Sequence, residues 1–254
     1  MTAIVLCGDV TSDLTLAFGN SYILACTTVV TANSTLTIEP GVTIVAAPSD
    51  SEGAKPALVV LRGAKLIANG TANAPITFTA LLPGQDSREE AVTDTETVNG
   101  TITAGLRGKW GGLVILGRAP TSHGAATSFE ALPGYHFGGI DPEDSSGILR
   151  YVRVWHAGAI VEANREINGL TFAGVGRGTI VEHCEVAFSL DDGFEFFGGT
   201  VNVRWLSALF NGDDAFDIDL GYVGTAQFLF AMLGNGGDRG LEVTARARGA
   251  CLRL

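Results

Sequence analysis

Asp191 and Asp192 recur one interval later as Asp213 and Asp214, and Asp238 stands a slightly longer interval beyond Asp213. Behind these acids one order of residue types returns each time. Small Gly193, Ala215 and Gly240 come first, then apolar Phe194, Phe216 and Leu241, then acidic Glu195, Asp217 and Glu242. Carboxylates in such a pattern have three chemical uses. They can hold a hard cation, because Ca²⁺ takes about six to eight oxygens and tolerates irregular carboxylate, carbonyl and water ligation; the expected ligands are Asp191, Asp192, Asp213, Asp214 and Asp217. They can serve as turn residues without a metal, one Asp of each pair facing solvent and the other capping turn amides through an Asx-type bond. Or they can cleave a glycosidic bond, with carboxyl groups about 5 to 5.5 Å apart for retention and about 6.5 to 9.5 Å for inversion. For that chemistry the candidates are Asp191, Asp192, Asp213 and Asp214.

The elements that carry these acids must repeat with them. Columns that recur from Asp191 to Asp213 to Asp238, in a chain with 34 glycines and few helical signals, predict a solenoid with one coil per repeat, each strand pairing in parallel with its equivalent one coil along. Leucine-rich repeats share such a period but need spaced leucines and an Asn column, and a β-sandwich would not give columns in register. Strand-like runs bounded by turns fill the chain: LTIEPGVTIV, ALVVLRGAKLIANG, APITFTAL, WGGLVILGRA and, from Gly147, six more in close order. Polar stretches at about 83–108 and 120–146 read as long surface loops on one domain spanning 1–243, and 244–254 as an irregular tail that neither repeats nor caps the solenoid. The last coil would then expose an edge, as in a fragment of a longer protein or a chain that pairs with another. In stacked strands equivalent residues lie about 4.8 Å apart. Like charges at that spacing repel by about 1 kcal/mol in bulk water and roughly 3 to 4 kcal/mol near a protein surface, so the acidic columns need compensation.

The remaining chemistry-bearing residues have plainer readings. Phenylalanines at matching positions, Phe194 over Phe216 above all, predict interior stacks, each burial being worth about 1.5 to 3 kcal/mol. Trp155, Trp205 and Tyr222 are the aromatics left as possible glycan contacts. His156 shares strand parity with inward Val152 and Val154 and falls where its strand ends. It is read with His123, His136 and His183 as an ordinary loop or strand-end histidine. The four cysteines show no zinc spacing; Cys7 and Cys26 could close a short disulfide, and Cys184 sits in an apolar alternating run as a buried thiol. A net charge of −11 argues against nucleic acid, whose phosphates require clustered Lys and Arg. No apolar run reaches about 18 residues, so no transmembrane segment is expected, and MTAIVLCGDV has neither the basic start of a signal peptide nor, with Leu6 before Cys7, a lipobox.

The runs YILACTTVVTANSTLTIEPGVTI, WGGLVILGRAP, GILRYVRVWHAG, EINGLTFAGVG and SLDDGFEFFGGTVNVRW followed by NGDDAFDIDLG resemble a family of secreted bacterial surface proteins with a pectin-lyase-like, right-handed parallel β-helix. The resemblance spans roughly residues 20 to 243. It implies an all-β fold and an extracellular or cell-surface location, and supplies no catalytic residues. Gly212-Asp213-Asp214 is similar to the Gly-Asp-Asp turn of polygalacturonase-type hydrolases. Those enzymes carry a Gly-His-Gly and then an Arg-x-Lys beyond that turn; here Gly-His-Gly is missing and the one Arg-x-Lys, Arg107-Gly108-Lys109, precedes it. A lyase would need Ca²⁺ and a basic residue, for which Arg204 and Arg239 are nearest, although Arg204 stands one repeat after Glu182, well placed to pair with it. The expected function is therefore a surface module for adhesion or for binding a polysaccharide or cell-surface glycan, stabilised by calcium and leaning away from catalysis. A polysaccharide-cleaving enzyme is the alternative.

Overall fold

The computed structural model describes residues 3–47, 55–81, 106–162 and 165–244. Nineteen of its strands join into one continuous, coiled sheet in which successive coils pair in parallel. Three ribbons run along the resulting right-handed β-helix. The first stacks Leu14–Leu16, Thr35–Ile38, Lys65–Asn69, Gly147–Arg150, Ile180–Glu182 and the start of Asn202–Leu209. The second stacks Thr43–Ala46, Ile76–Ala80, Val152–Trp155, Glu185–Ala187 and the end of Asn202–Leu209. The third stacks Ala57–Val60, Gly112–Leu116, Leu170–Ala173, Phe194–Phe197, Phe216–Asp219 and Glu242–Val243. No α-helix occurs among the described residues, and none is long and apolar enough to cross a membrane.

Alternation along each strand sends every second side chain inward, and the inward columns of all three ribbons make one core. Phe194 packs on Phe216 with ring centroids 5.3 Å apart, and Phe172 on Phe196 at 5.4 Å, the expected interior stacks. The registers Phe194↔Phe216, Glu195↔Asp217 and Asp217↔Glu242 reproduce the columns read from the repeat. Cys7 and Cys26 form a disulfide between the first two coils, and Cys184 is a buried thiol.

The 120–146 insertion is packed, not a free loop. Its Phe129, Ala131 and Phe137 lie on the outward side of the third ribbon against Val114, Leu116, Ala173, Phe197 and Leu220, forming a second, smaller core. The 83–108 loop falls mostly outside the described residues. A short antiparallel pairing of Ile160–Glu162 with Arg165–Glu166 precedes the third ribbon's Leu170–Ala173 and carries Ile167 and Asn168 to its edge.

The corners between ribbons hold an unexpected device. Tyr151, His183, Trp205 and Phe228 turn the chain from the first ribbon to the second, each with positive φ (48°, 54°, 56° and 58°). Their rings form one stack, with centroids 4.6, 4.5 and 5.6 Å apart. His156, Phe188 and Phe210 repeat the arrangement where the second ribbon gives way to the third. A left-handed conformation costs a non-glycine residue roughly 1 to 2 kcal/mol, and stacking of each ring pair at about 0.5 to 1.5 kcal/mol offsets it. His156 and His183 stand at strand ends, as expected, and there join the corner stacks: His156 is buried, pushed down to about 4 by that burial, and its Nδ1 lies 2.9 Å from the Leu106 carbonyl.

Candidate functional site

The acids gather on the outward side of the third ribbon and at the turns leading into it. Two roles separate within each Asp pair. Asp192 and Asp214 are buried. The Asp192 amide donates to Asn168 Oδ1 at 3.2 Å, the Asp214 amide to Asp192 Oδ1 at 2.9 Å, and the Arg239 amide to Asp214 Oδ1 at 2.7 Å. Each side chain therefore caps the turn of the next coil, not its own, which corrects the local Asx-type turn expected from sequence. Asp191 and Asp213, the partners, face outward. The turn itself needs glycine: a Cβ on Gly212 would sit 1.9 Å from the Leu190 carbonyl oxygen.

Between the coils the carboxylates converge. One oxygen each from Asp191, Asp192 and Asp213 lie within 4.8 Å of one another; so do oxygens from Asp192, Glu195 and Asp217, and from Asp213, Asp214 and Asp238. Burial, reinforced by Glu166 and Asp213, pushes Asp191 up to about 7. Burial and the adjoining Asp191 push Asp192 to about 9. Asp217 and Asp214 rise to about 6 by burial, with Glu242 adding to both. Glu195, buried and facing Asp192 and Asp217, lies well above the carboxylate range. The third group has a cation of its own. Arg239 reaches Asp238 and Glu242 at 2.9 Å and Asp214 at 3.6 Å. The other two groups have only oxygen donors, which suits a hard cation.

Residues 8–91 and 93–251 match the family model described as a pectate-lyase-like β-helix domain. The chain belongs to that family. Neither a curated protein nor a solved structure matches it. Family membership accounts for the stacked coils and leaves the chemistry of the acidic edge to its own residues.

Within this pectate-lyase-like domain the other sequence-derived candidates scatter. Trp155 is buried, its indole N–H donating to Glu185 at 2.8 Å, and Tyr222 is buried with its hydroxyl donating to the Val201 carbonyl at 2.7 Å. Neither offers a ring to a sugar. Trp205 is 37% exposed and lines a groove of about 350 Å³ with Tyr151, Arg153, His183, Glu185 and Phe228. That groove runs along the corner stack, on a different edge of the β-helix from the acids. Phe228 and Phe230 are exposed because Phe228 closes the corner stack on Trp205 and Phe230 follows Glu185 and Ser207 in an outward column. Arg204 pairs with Glu182 at 2.6 Å, as its spacing predicted, and Arg150 joins from the coil before at 2.9 Å. Sequence reasoning missed Asn168, which precedes Gly169 and Leu170 as Asp192 precedes Gly193 and Phe194 and so holds the same column one coil earlier, and it missed Glu166 and Glu130, which stand outside the repeat. It also missed the corner rings, whose signal was the recurrence of His183, Trp205 and Phe228 at nearly equal intervals.

Proposed function

We propose that the chain is an extracellular β-helix module that binds a polysaccharide or cell-surface glycan and is held in shape by calcium on its acidic edge. The observation that carries this reading is the convergence of Asp191, Asp192 and Asp213 oxygens within 4.8 Å at a place where burial and mutual repulsion disfavour their ionised forms. A divalent cation relieves both effects, and Asp214 and Asp217 lie on the same edge. The Cys7–Cys26 disulfide supports an oxidising, extracellular setting. The groove at Trp205 supports glycan contact, with a qualification set by geometry: His183 and Phe228 stack on the two sides of the Trp205 ring, so a sugar meets ring edges and the polar Arg153 and Glu185.

Binding is favoured over cleavage because the groups an enzyme would need are already engaged. Asp192 and Asp214 accept backbone amides, Arg204 is paired with Glu182, and Arg239 with Asp238 and Glu242. The competing reading, hydrolysis through Asp191, Asp192, Asp213 and Asp214, rests on Asp191, whose carboxyl at about 7 has the proton affinity of a general acid. Thermal unfolding in excess Ca²⁺ and in chelator tests the calcium reading. A cation at about a hundred times its Kd adds about 2.7 kcal/mol, a rise of a few degrees. The rise should shrink in Asp191→Asn combined with Asp213→Asn. Coincident midpoints for the wild type would end that reading, and polysaccharide cleavage lost on Asp213→Asn with the fold intact would replace binding by catalysis.

A further inference from the structure

Glu195 occupies an improbable position for a carboxylate. Leu170 and Phe172, and Phe194 and Phe196, point into the solenoid core, so Thr171 and Glu195 between them point the other way, onto the outward side of the third ribbon. In that outward column Val114, Thr171, Glu195, Asp217 and Glu242 follow one another coil by coil. Thr171 is fully buried, and its Oγ1 has no hydrogen-bond partner; on the far side of Glu195, Asp217 Oδ1 has none either. Glu195 itself receives the Asn168 side-chain amide. Its other neighbours raise its proton affinity: Asp192, Asp217, Glu130 and Asp191. Buried oxygens left without donors on both sides of a buried carboxylate are rare, since each such group costs about 1 to 3 kcal/mol.

We propose that Asp192, Glu195 and Asp217, with the Thr171 hydroxyl below them, form an inner site for a hard divalent cation of the calcium class, and that Asp192 bridges it to the outer site at Asp191 and Asp213. The proposal rests on the calcium reading of the acidic edge and adds a second ion to it. Charge supports two ions, because Asp191, Asp192, Glu195, Asp213 and Asp217 bring five carboxylates to the two groups that lack the guanidinium found in the third. Chemistry selects the ion class: carboxylate and hydroxyl oxygens without nitrogen or sulfur suit calcium over zinc or copper. Depth distinguishes the sites. The outer ligands Asp191 and Asp213 reach solvent, whereas Glu195 and Thr171 do not, so the inner ion exchanges more slowly.

The rival arrangement is a Glu195 that simply keeps its proton. Calcium stoichiometry at neutral pH separates the two, measured on chelator-stripped protein whose fold is checked by circular dichroism. The wild type should take up two ions, Asp213→Asn one, and Glu195→Gln one. Thr171→Val, which keeps the side-chain shape should Glu195→Gln fail to fold, should weaken the slowly exchanging ion by about tenfold. Two ions retained with unchanged affinity in Glu195→Gln and Thr171→Val would overturn the inner site, as would a single wild-type ion that only Asp213→Asn removes. No ion at all in the wild type would overturn the calcium reading of the whole edge.

Discussion

Asp192 carries two separable properties, an acceptor oxygen and a charge, and substitution can remove them one at a time. Asp192→Asn keeps an oxygen for the Asp214 amide and is neutral without having to hold a proton. In chelator at pH 8 it should unfold at a higher temperature than the wild type. Asp192→Ala leaves that amide without its partner, at a loss of about 1 to 3 kcal/mol. The pH dependence has a definite sign. Asp191, at 3.8 when unfolded, rises to about 7 in the folded chain, and Asp192 to about 9. Between pH 4 and 7 the folded protein therefore holds protons that the unfolded chain has released, and in chelator stability should fall as pH rises through that window. Ca²⁺ at the proposed sites holds these acids ionised, as they already are in the unfolded chain above about pH 5, so in excess Ca²⁺ the slope should flatten. Denaturant unfolding at pH 5 and pH 7.5, with and without calcium, reads both slopes; parallel slopes would mean that no cation competes with the protons. The Asp pairs and their spacing were legible in the sequence. Which member of each pair turns inward was not, because that depends on Asn168 and on the height of the next coil's turn.

The ribbons and corners explain why the columns were readable and the bends were not. A strand column needs only matched parity, and Phe194, Glu195 and Phe196 recur as Phe216, Asp217 and Ile218. A corner in left-handed conformation ordinarily advertises itself with Gly or Asn. Here the residues are Tyr151, His183, Trp205 and Phe228, held in that conformation by neighbours one coil away. Trp205→Ala removes two stacking partners at once and keeps the backbone strain, so it should lower stability by about 1 to 3 kcal/mol, while Trp205→Phe should cost less than half of that. Equal unfolding midpoints for Trp205→Ala and the wild type would show that the stack contributes nothing. Gly212→Ala tests the acidic turn in the same way: the Leu190 carbonyl must move to admit a methyl group, and loss of calcium uptake should accompany loss of stability.

At the scale of the whole solenoid, repeat stabilities and neighbour interfaces add along one axis. The pectate-lyase-like fold was legible because that axis imposes one period on the later coils, whereas the packed 120–146 insertion, with Phe129 and Phe137 on the outward side of the third ribbon, follows no period at all. The proposed calcium sites lie on the coils between Leu170 and Val243, so chelation should raise amide exchange there and leave the coils before Ala47 unchanged. The opposite end carries the covalent link. Cys7 joins Cys26 across 19 residues, a closure worth about 3 kcal/mol in chain entropy, and it ties the first coil to the second. Among the described coils the link gives opening a direction: the early pair is held together, and the uncrosslinked late coils can separate first. The proposed metal on the late coils and the disulfide on the early ones are then two independent fasteners, one released by chelator and one by reductant, so the environment decides which of the described coils loosen first.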